Sequence, residues 1–289
     1  MYKILIDWLA FTVDKNFDAE KNGWSMERNA KDTMLDFLGK SWASFEGQMK
    51  ANGGEFEITA GRAPYRYGLR YEGCTLYFSD NDNVNHVLFE ASGKGCDALR
   101  GMGLLDEFII KSQDRATRID LAVDLETDVM PTDFESAAMN GRFKSHGIQK
   151  SSTGETVYIG GRQSERYCRV YRYFKPHPRA KFLRCEFVFR KGNAKLFAAQ
   201  YVESGGDLNA LALGAGQVYG FEHEAWNLTG DEILLSSYTP ERRQGKTVTW
   251  LITQVAPAFR RLVDEDVIDD PVQFIYDHFL SEGNNNVQQ

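Results

Sequence analysis

Two short stretches, RIDLAVDL at 118–125 and LRCEFVFR at 183–190, alternate apolar and charged residues with a period of two. That period belongs to a β-strand, whose successive side chains leave on opposite faces of a sheet. In the first stretch Ile119, Leu121 and Val123 share one face, and Asp120, Ala122 and Asp124 the other. In the second, Cys185, Phe187 and Phe189 oppose Arg184, Glu186, Val188 and Arg190. Such strands require a sheet with one face turned to a core. They also require partners for carboxylates set among apolar residues, because an unpaired buried charge is expensive.

The remaining periodicities predict an α+β protein: an antiparallel-sheet core with helices packed on it. Residues 4–13, 55–60, 65–71, 74–79 and 86–91 read as strands, as do TVYIGG and the region around RVYRYF, which look like a hairpin. Met34, Leu35, Phe37, Leu38, Trp42 and Phe45 are spaced for a helix over 26–49. PTDFESAAMNG, KGNAKLFAAQYV and 247–263 also read as helical. Gly93 and Gly95 are expected to permit a tight turn into a helix.

Three segments recur in order. IDWLAFTV resembles RIDLAVDL, TLYFSD resembles TVYIGG, and VLFEASGKGCDAL resembles CEFVFRKGNAKLF. The expected organisation is a duplicated strand–helix–strands–helix unit. Residues 1–112 form a first half, with Asp7 and Glu90 in structural or DNA-positioning roles. Residues 113–202 form a second half carrying the chemistry. Residues 203–289 form a mostly helical region, with 14 acids against 5 bases and a disordered tail, EGNNNVQQ.

Charge is unevenly placed. The chain carries a net charge of -7, yet 142–195 holds 14 Lys and Arg against three acids, Glu155, Glu165 and Glu186. A solvated basic surface would account for a charge run. Basic residues interleaved with Tyr and Phe point instead to nucleic acid, with cations on phosphates and rings on bases.

Cys74, Cys96, Cys168 and Cys185 are scattered, with no CxxC and no zinc-finger spacing to histidine. They read as small buried residues of a reducing compartment. MYKILIDWLAFTV is too short and too early charged for a signal peptide, and there is no run of 18 apolar residues. A cytoplasmic protein without membrane contact is expected. GKG at 93–95 is not a phosphate-binding loop, since GxxxxGK[ST] is absent, so no ATPase activity is expected.

Two readings of Asp120 and Asp124 stand side by side: pairing with arginines such as Arg118 or Arg184, or oxygen ligation of a divalent metal. Glu186 is a salt-bridged glutamate, a metal ligand or a general base. Tyr171, with Arg169 and Tyr173 as its alternation partners, is a packing residue or a nucleophile whose proton is drawn off by nearby cations or a base.

IDWLAFT (6–12), ASGKGCDALR (91–100), RIDLAVDL (118–125), GETVYIGGRQSERYCRVY (154–171), LRCEFVFRKGNA (183–194) and TWLITQVAP (249–257) together resemble the replication initiation factor family. These are rolling-circle initiators of Gram-positive plasmids, some phages and integrative conjugative elements. The resemblance implies a fold like that of the HUH endonucleases, without their metal-binding histidine pair. The five histidines here (His86, His146, His177, His223, His278) are isolated.

In the family the nucleophile lies in an Arg-x-Tyr motif, which falls on Arg169 and Tyr171. The matching acidic positions, Asp120, Asp124 and Glu186, would hold Mg²⁺ or Mn²⁺. The family usually has Lys two residues after the tyrosine. Here that position is Tyr173, a second candidate nucleophile, the nearest lysine is Lys175, and Tyr167 is a third candidate.

The implied activity is metal-dependent, origin-specific nicking through a 5′-phosphotyrosyl link, with the free 3′-hydroxyl priming synthesis. Arg118, Arg162, Arg166, Arg172, Lys175, Arg184, Arg190 and Lys191 would bind the DNA, an origin hairpin or single strand. A host or element helicase and polymerase would be partners, and a homodimer is implied by the family alone. Conjugative relaxation by the same chemistry and non-catalytic DNA binding on the same fold are the alternatives.

Overall fold

The computed structural model describes residues 2–15, 26–81, 83–135, 145–151, 154–172, 181–221, 224, 226–233, 235, 256–265, 270 and 273. The chain forms two compact units, Met1–Tyr238 and Thr239–Gln289. The first holds ten strands: β1 (Tyr2–Asp14), β2 (Glu57–Ala60), β3 (Tyr67–Tyr71), β4 (Cys74–Phe78), β5 (His86–Ala91), β6 (Ala116–Glu126), β7 (His146–Ser151), β8 (Gly154–Ile159), β9 (Arg166–Arg172) and β10 (Phe182–Arg190). Its helices are α1 (Met26–Leu38), α2 (Lys40–Ala51), α3 (Gly93–Gly101), α4 (Leu105–Ser112), α5 (Gly192–Glu203) and α6 (Leu208–Val218). The second unit contributes α7 (Ala256–Asp264).

All ten strands pair antiparallel in the order β2-β3-β4-β5-β1-β6-β10-β9-β8-β7. This is the expected α+β class with an antiparallel core. The order reads the same from both edges: β1 corresponds to β6, β5 to β10, β4 to β9, β3 to β8 and β2 to β7. The likeness of TLYFSD to TVYIGG does not follow that correspondence. TLYFSD lies on β4 and TVYIGG on β8, one position apart in the two halves. Short amphipathic strands look alike wherever they fall.

Helices cover one face. Phe11, Phe89, Trp42, Phe45 and Phe108 form an aromatic cluster between sheet, α2 and α4, with Phe89 and Phe108 ring centres 5.3 Å apart. In the second half Phe197 of α5 stacks on Phe189 at 4.7 Å. Leu211, Ala212 and Ala215 of α6 and Tyr219 beyond it join the same core. Burying each large side chain contributes roughly 1.5–3 kcal/mol. The compact body therefore runs to Tyr238, and α6 belongs with the sheet rather than with a region beginning at 203.

The helix expected over 26–49 is two helices, broken at Gly39, whose φ of 59° is left-handed. PTDFESAAMNG shows a 3₁₀ turn at Pro131–Phe134, and the rest from 136 lies outside the described residues. The helix expected over 247–263 is seen as Ala256–Asp264, with 247–255 outside the described residues. Among the described residues no helix is long and apolar enough to cross a membrane.

One irregularity shapes the other face. The β1–β6 register slips between Ile6 and Trp8. Ile6, Leu9, Phe11 and Val13 all reach the helix-side core, which needs one extra residue between Ile6 and Leu9. That residue makes a bulge, and a bulge re-aims side chains. Trp8 and Ala10 then face the other side of the sheet, where they join Tyr65, Tyr77, Val84 and Leu88.

Gly93 and Gly95 serve close approach rather than a special turn conformation. Neither has a left-handed φ. A Cβ on Gly93 would lie 2.8 Å from Asp7 Oδ1, and one on Gly95 would lie 2.6 Å from the Gly73 carbonyl oxygen.

Candidate active site

The face opposite the helices is where the two charged strands meet. β6 and β10 are adjacent, with Asp124 opposite Arg184, Ala122 opposite Glu186 and Asp120 opposite Val188. β9 lies beyond β10, placing Arg169 opposite Glu186 and Tyr171 opposite Arg184. Five residues singled out in the sequence, Asp120, Asp124, Glu186, Arg169 and Tyr171, thus gather on three neighbouring strands.

Asp120, Asp124, Arg184 and Glu186 are all buried. Their charges are met in two groups. Arg184 donates to both oxygens of Asp124, at 2.6 and 2.8 Å, and its Nη1 lies 2.9 Å from Asp7.

The second group is built on Glu186. Its Oε1 accepts from Arg169 and its Oε2 accepts from the Tyr171 hydroxyl at 2.9 Å. The Arg169 guanidinium also lies 5.4 Å from the centre of the Tyr171 ring. Asp120 accepts two bonds from Arg118, at 2.9 and 2.5 Å. Arg118 in turn stacks on Trp8 at 4.2 Å.

These contacts push the two carboxyls apart in acidity. Burial drives Asp120 up to about 7, against the pull of Arg118 and helped by the charge of Glu186. Burial would raise Glu186 as well, but the charge of Arg169 and hydrogen bonds from Arg169, Asp120 and Tyr171 hold it below the usual carboxylate range. At neutral pH Glu186 is the ionised partner and Asp120 retains a large protonated fraction.

The donor set does not fit Mg²⁺ or Mn²⁺ as arranged. Among the described residues no three His, Cys, Asp or Glu side chains converge on a point that could hold a metal. Both oxygens of each expected ligand are engaged: Asp120 by Arg118, Asp124 by Arg184, and Glu186 by Arg169 and Tyr171. Arg118, Arg169 and Arg184 offset most of the charge that Asp7, Asp120, Asp124 and Glu186 bring, leaving little to attract a dication.

The remaining basic residues divide by exposure. Arg172 donates to the Thr127 and Val129 carbonyls at 2.5 and 2.7 Å and so ties down a loop. Arg190 donates to the Arg162 carbonyl and lies 5.2 Å over the Tyr167 ring. Arg162 lies 5.0 Å over Tyr158. Lys191 pairs with Glu165 at 3.0 Å. Arg166 lies on β9, part-way exposed. Arg184, buried beneath its two carboxylates, is not available to a ligand. Tyr173 and Lys175 lie outside the described residues.

Sequence reasoning overlooked Trp8 and Tyr77. The β-strand alternation of IDWLAFTV was the available signal for Trp8, but the bulge breaks it.

A solved structure of a rolling circle replication initiator protein from Geobacillus stearothermophilus matches this fold with a TM-score of 0.54 and 20% sequence identity. The match covers 76% of this chain and 86% of that one. At that identity the likeness establishes a shared fold. No family model matches the chain, and no curated protein matches it in sequence.

Proposed function

We propose that this protein initiates rolling-circle replication by nicking one DNA strand with Tyr171. The observation that carries the reading is the Tyr171 hydroxyl donating to Glu186 at 2.9 Å beneath the Arg169 guanidinium. The fold shared with a rolling circle replication initiator protein gives that contact its context.

In the proposed reaction Tyr171 Oη attacks the scissile phosphorus and passes its proton to Glu186. A bond forms from Oη to phosphorus and the bond to the 3′-oxygen breaks. The leaving oxygen takes a proton from water to become a 3′-hydroxyl. An ionised Glu186 is too weak a base to deprotonate a free tyrosine beforehand, so the proton moves as the new bond forms. Arg169 serves twice, stabilising the developing phenolate charge and neutralising the phosphate. The Arg169 guanidinium, bonded to Glu186 Oε1, keeps the other oxygen oriented toward Tyr171. The phosphotyrosyl link conserves the phosphodiester for later strand transfer, and the 3′-hydroxyl primes a polymerase, with unwinding left to a host or element helicase.

The test is incubation with labelled single-stranded oligonucleotides from the origin of the protein's own element, with Mn²⁺ or with chelator, followed by denaturing protein gels. Wild type should give a covalent adduct and Tyr171→Phe none. An adduct that survives in Tyr171→Phe but is lost in Tyr173→Phe moves the nucleophile. Bound but intact DNA with no adduct overturns nicking in favour of non-catalytic DNA binding. An adduct formed only with Mn²⁺ would mean that Asp120 or Glu186 exchanges its arginine for a cation.

A further inference from the structure

The mirror order of the sheet allows the Tyr171 site to be compared with its counterpart position by position. In the second half Glu186 of β10 lies opposite Ala122 on one side and Arg169 on the other, and Tyr171 follows Arg169 by two residues. In the first half Glu90 of β5 lies opposite Ala10 and Thr75, and Tyr77 follows Thr75 by two residues. Glutamate and tyrosine therefore occupy equivalent places. The strand position of Arg169 is taken by Thr75, yet a guanidinium is still supplied. Arg62, from the β2–β3 connection, bonds Glu90 at 2.5 Å and lies 4.9 Å over the Tyr77 ring.

A third unit of the same kind joins the two. Arg118 bonds Asp120 and stacks on Trp8. Arg118, Ala10 and Glu90 lie in one register row across β6, β1 and β5. Each unit has a carboxylate below and an arginine above. Glu90, Asp120 and Glu186 side chains are 11%, 1% and 1% exposed, against 49%, 24% and 33% for Arg62, Arg118 and Arg169. A carboxylate can occupy only part of a guanidinium's five donors, and the fork it holds is fixed in place. The result is a diagonal band of anchored arginines, each beside an aromatic ring, running from the first half to Tyr171.

We propose that this band is a single-strand track, and that Arg62 is a backbone-phosphate contact in the half of the molecule that lacks the nucleophile. The proposal rests on the nicking function and extends it: a strand cut at Tyr171 is also held at Arg62, on the far side of the β1–β6 pair. The occupant is a single-stranded polynucleotide because each accessible guanidinium sits beside a ring, with Trp8 and Tyr171 part-exposed and Tyr77 buried, and without a pattern of base-edge donors and acceptors.

The experiment measures binding of fluorescein-labelled oligo(dT) of about 16 nucleotides, within the site sizes usual for such surfaces, across a salt series. Wild type, Arg62→Ala, Arg62→Ala/Glu90→Gln, Arg169→Ala and Arg66→Ala are compared, with thermal melting as a folding control. Arg66, 68% exposed and paired with Asp80, shares no carboxylate or ring with the three units. The expected result is a several-fold weaker affinity for both Arg62 variants, with the slope of log K against log salt shallower by about 0.7, one single-strand phosphate contact. Arg66→Ala should match wild type. The double variant removes the unpaired glutamate, so loss in the single variant alone would mark a folding defect and overturn the assignment. If Arg169→Ala weakens binding while both Arg62 variants keep the wild-type affinity and slope, the track is wrong and the function stands. If wild type binds no oligo(dT) and forms no origin adduct, the function itself fails.

Discussion

The two halves share a strand order but not a polarity. On the face away from the helices, the first half gathers Ala10, Tyr65, Tyr77, Val84 and Leu88 into a small apolar cluster. At the equivalent positions the second half places Arg184 for Leu88 and Arg169 for Thr75, and pairs them with buried carboxylates. Topology therefore does not dictate chemistry. The same backbone supports an apolar patch or an ionic network, and of the equivalent tyrosines Tyr77 and Tyr171 it is Tyr171 whose hydroxyl donates to the glutamate of the adjacent strand. Burial in the first half raises Tyr65 to about 12, so it stays a phenol. In the second half, cations and a hydrogen-bonded glutamate surround Tyr171.

The comparison breaks first at Glu186. Glu186→Gln retains size and a hydrogen bond to Tyr171 but cannot take its proton. Adduct formation should slow by roughly 10²–10⁴-fold, the usual worth of a positioned general base, with oligonucleotide binding kept. An unchanged rate in single-turnover gels would mean that Glu186 is not the base that takes the Tyr171 proton.

Arg184→Met probes the ionic network as structure. It would remove the guanidinium from which both Asp124 oxygens accept and with which Asp7 pairs, which should cost about 3–5 kcal/mol in denaturant unfolding. Leu88→Met, its first-half counterpart, should cost under about 1.5 kcal/mol, being a near volume-conserving apolar swap. Equal losses would mean that the network contributes no more than apolar packing does.

The smallest effect concerns pH. Asp120 is raised in the folded state, so its contribution favours the native state at low pH and is lost as pH rises from about 4 through about 7. Glu186 acts oppositely: its contribution is present above the usual carboxylate range and lost as pH falls through its lowered value. Asp120→Asn should flatten the fall of melting temperature between about pH 4 and 7. A slope identical to wild type would show that Asp120 does not carry the proton.

Much of this architecture was legible because alternation is a local property. Ile119, Leu121 and Val123 reach the core, as do Cys185, Phe187 and Phe189. Pairing Asp120 with Arg118 was also a visible option, the two lying two residues apart on one face. The partners of Glu186 were not visible. Alternation sets it between Arg184 and Arg190, but its bonds go to Arg169 and Tyr171 on the next strand. That choice depends on which strands are neighbours and in what register, which no single strand encodes. Trp8 is hidden for a related reason: one extra residue in β1 changes the phase of everything after it. Arg62 comes from a loop, where periodicity carries no information.

The pairing of β1 with β6 also constrains the order of manufacture. β1 is made before either of its neighbours in the sheet, and β5 completes its partner on one side by Ala91. On the other side β1 waits until Ala116–Glu126 has been synthesised. Until then the emerging half presents an open, largely apolar strand edge of the kind that recruits stray chains. β6 is complete at Glu126, 35 residues after β5 ends at Ala91, a delay of seconds at ordinary synthesis rates. An insertion between α4 and β6 would lengthen the exposure without touching any contact in the finished molecule, and its penalty would appear as lower soluble yield rather than as a lower melting temperature.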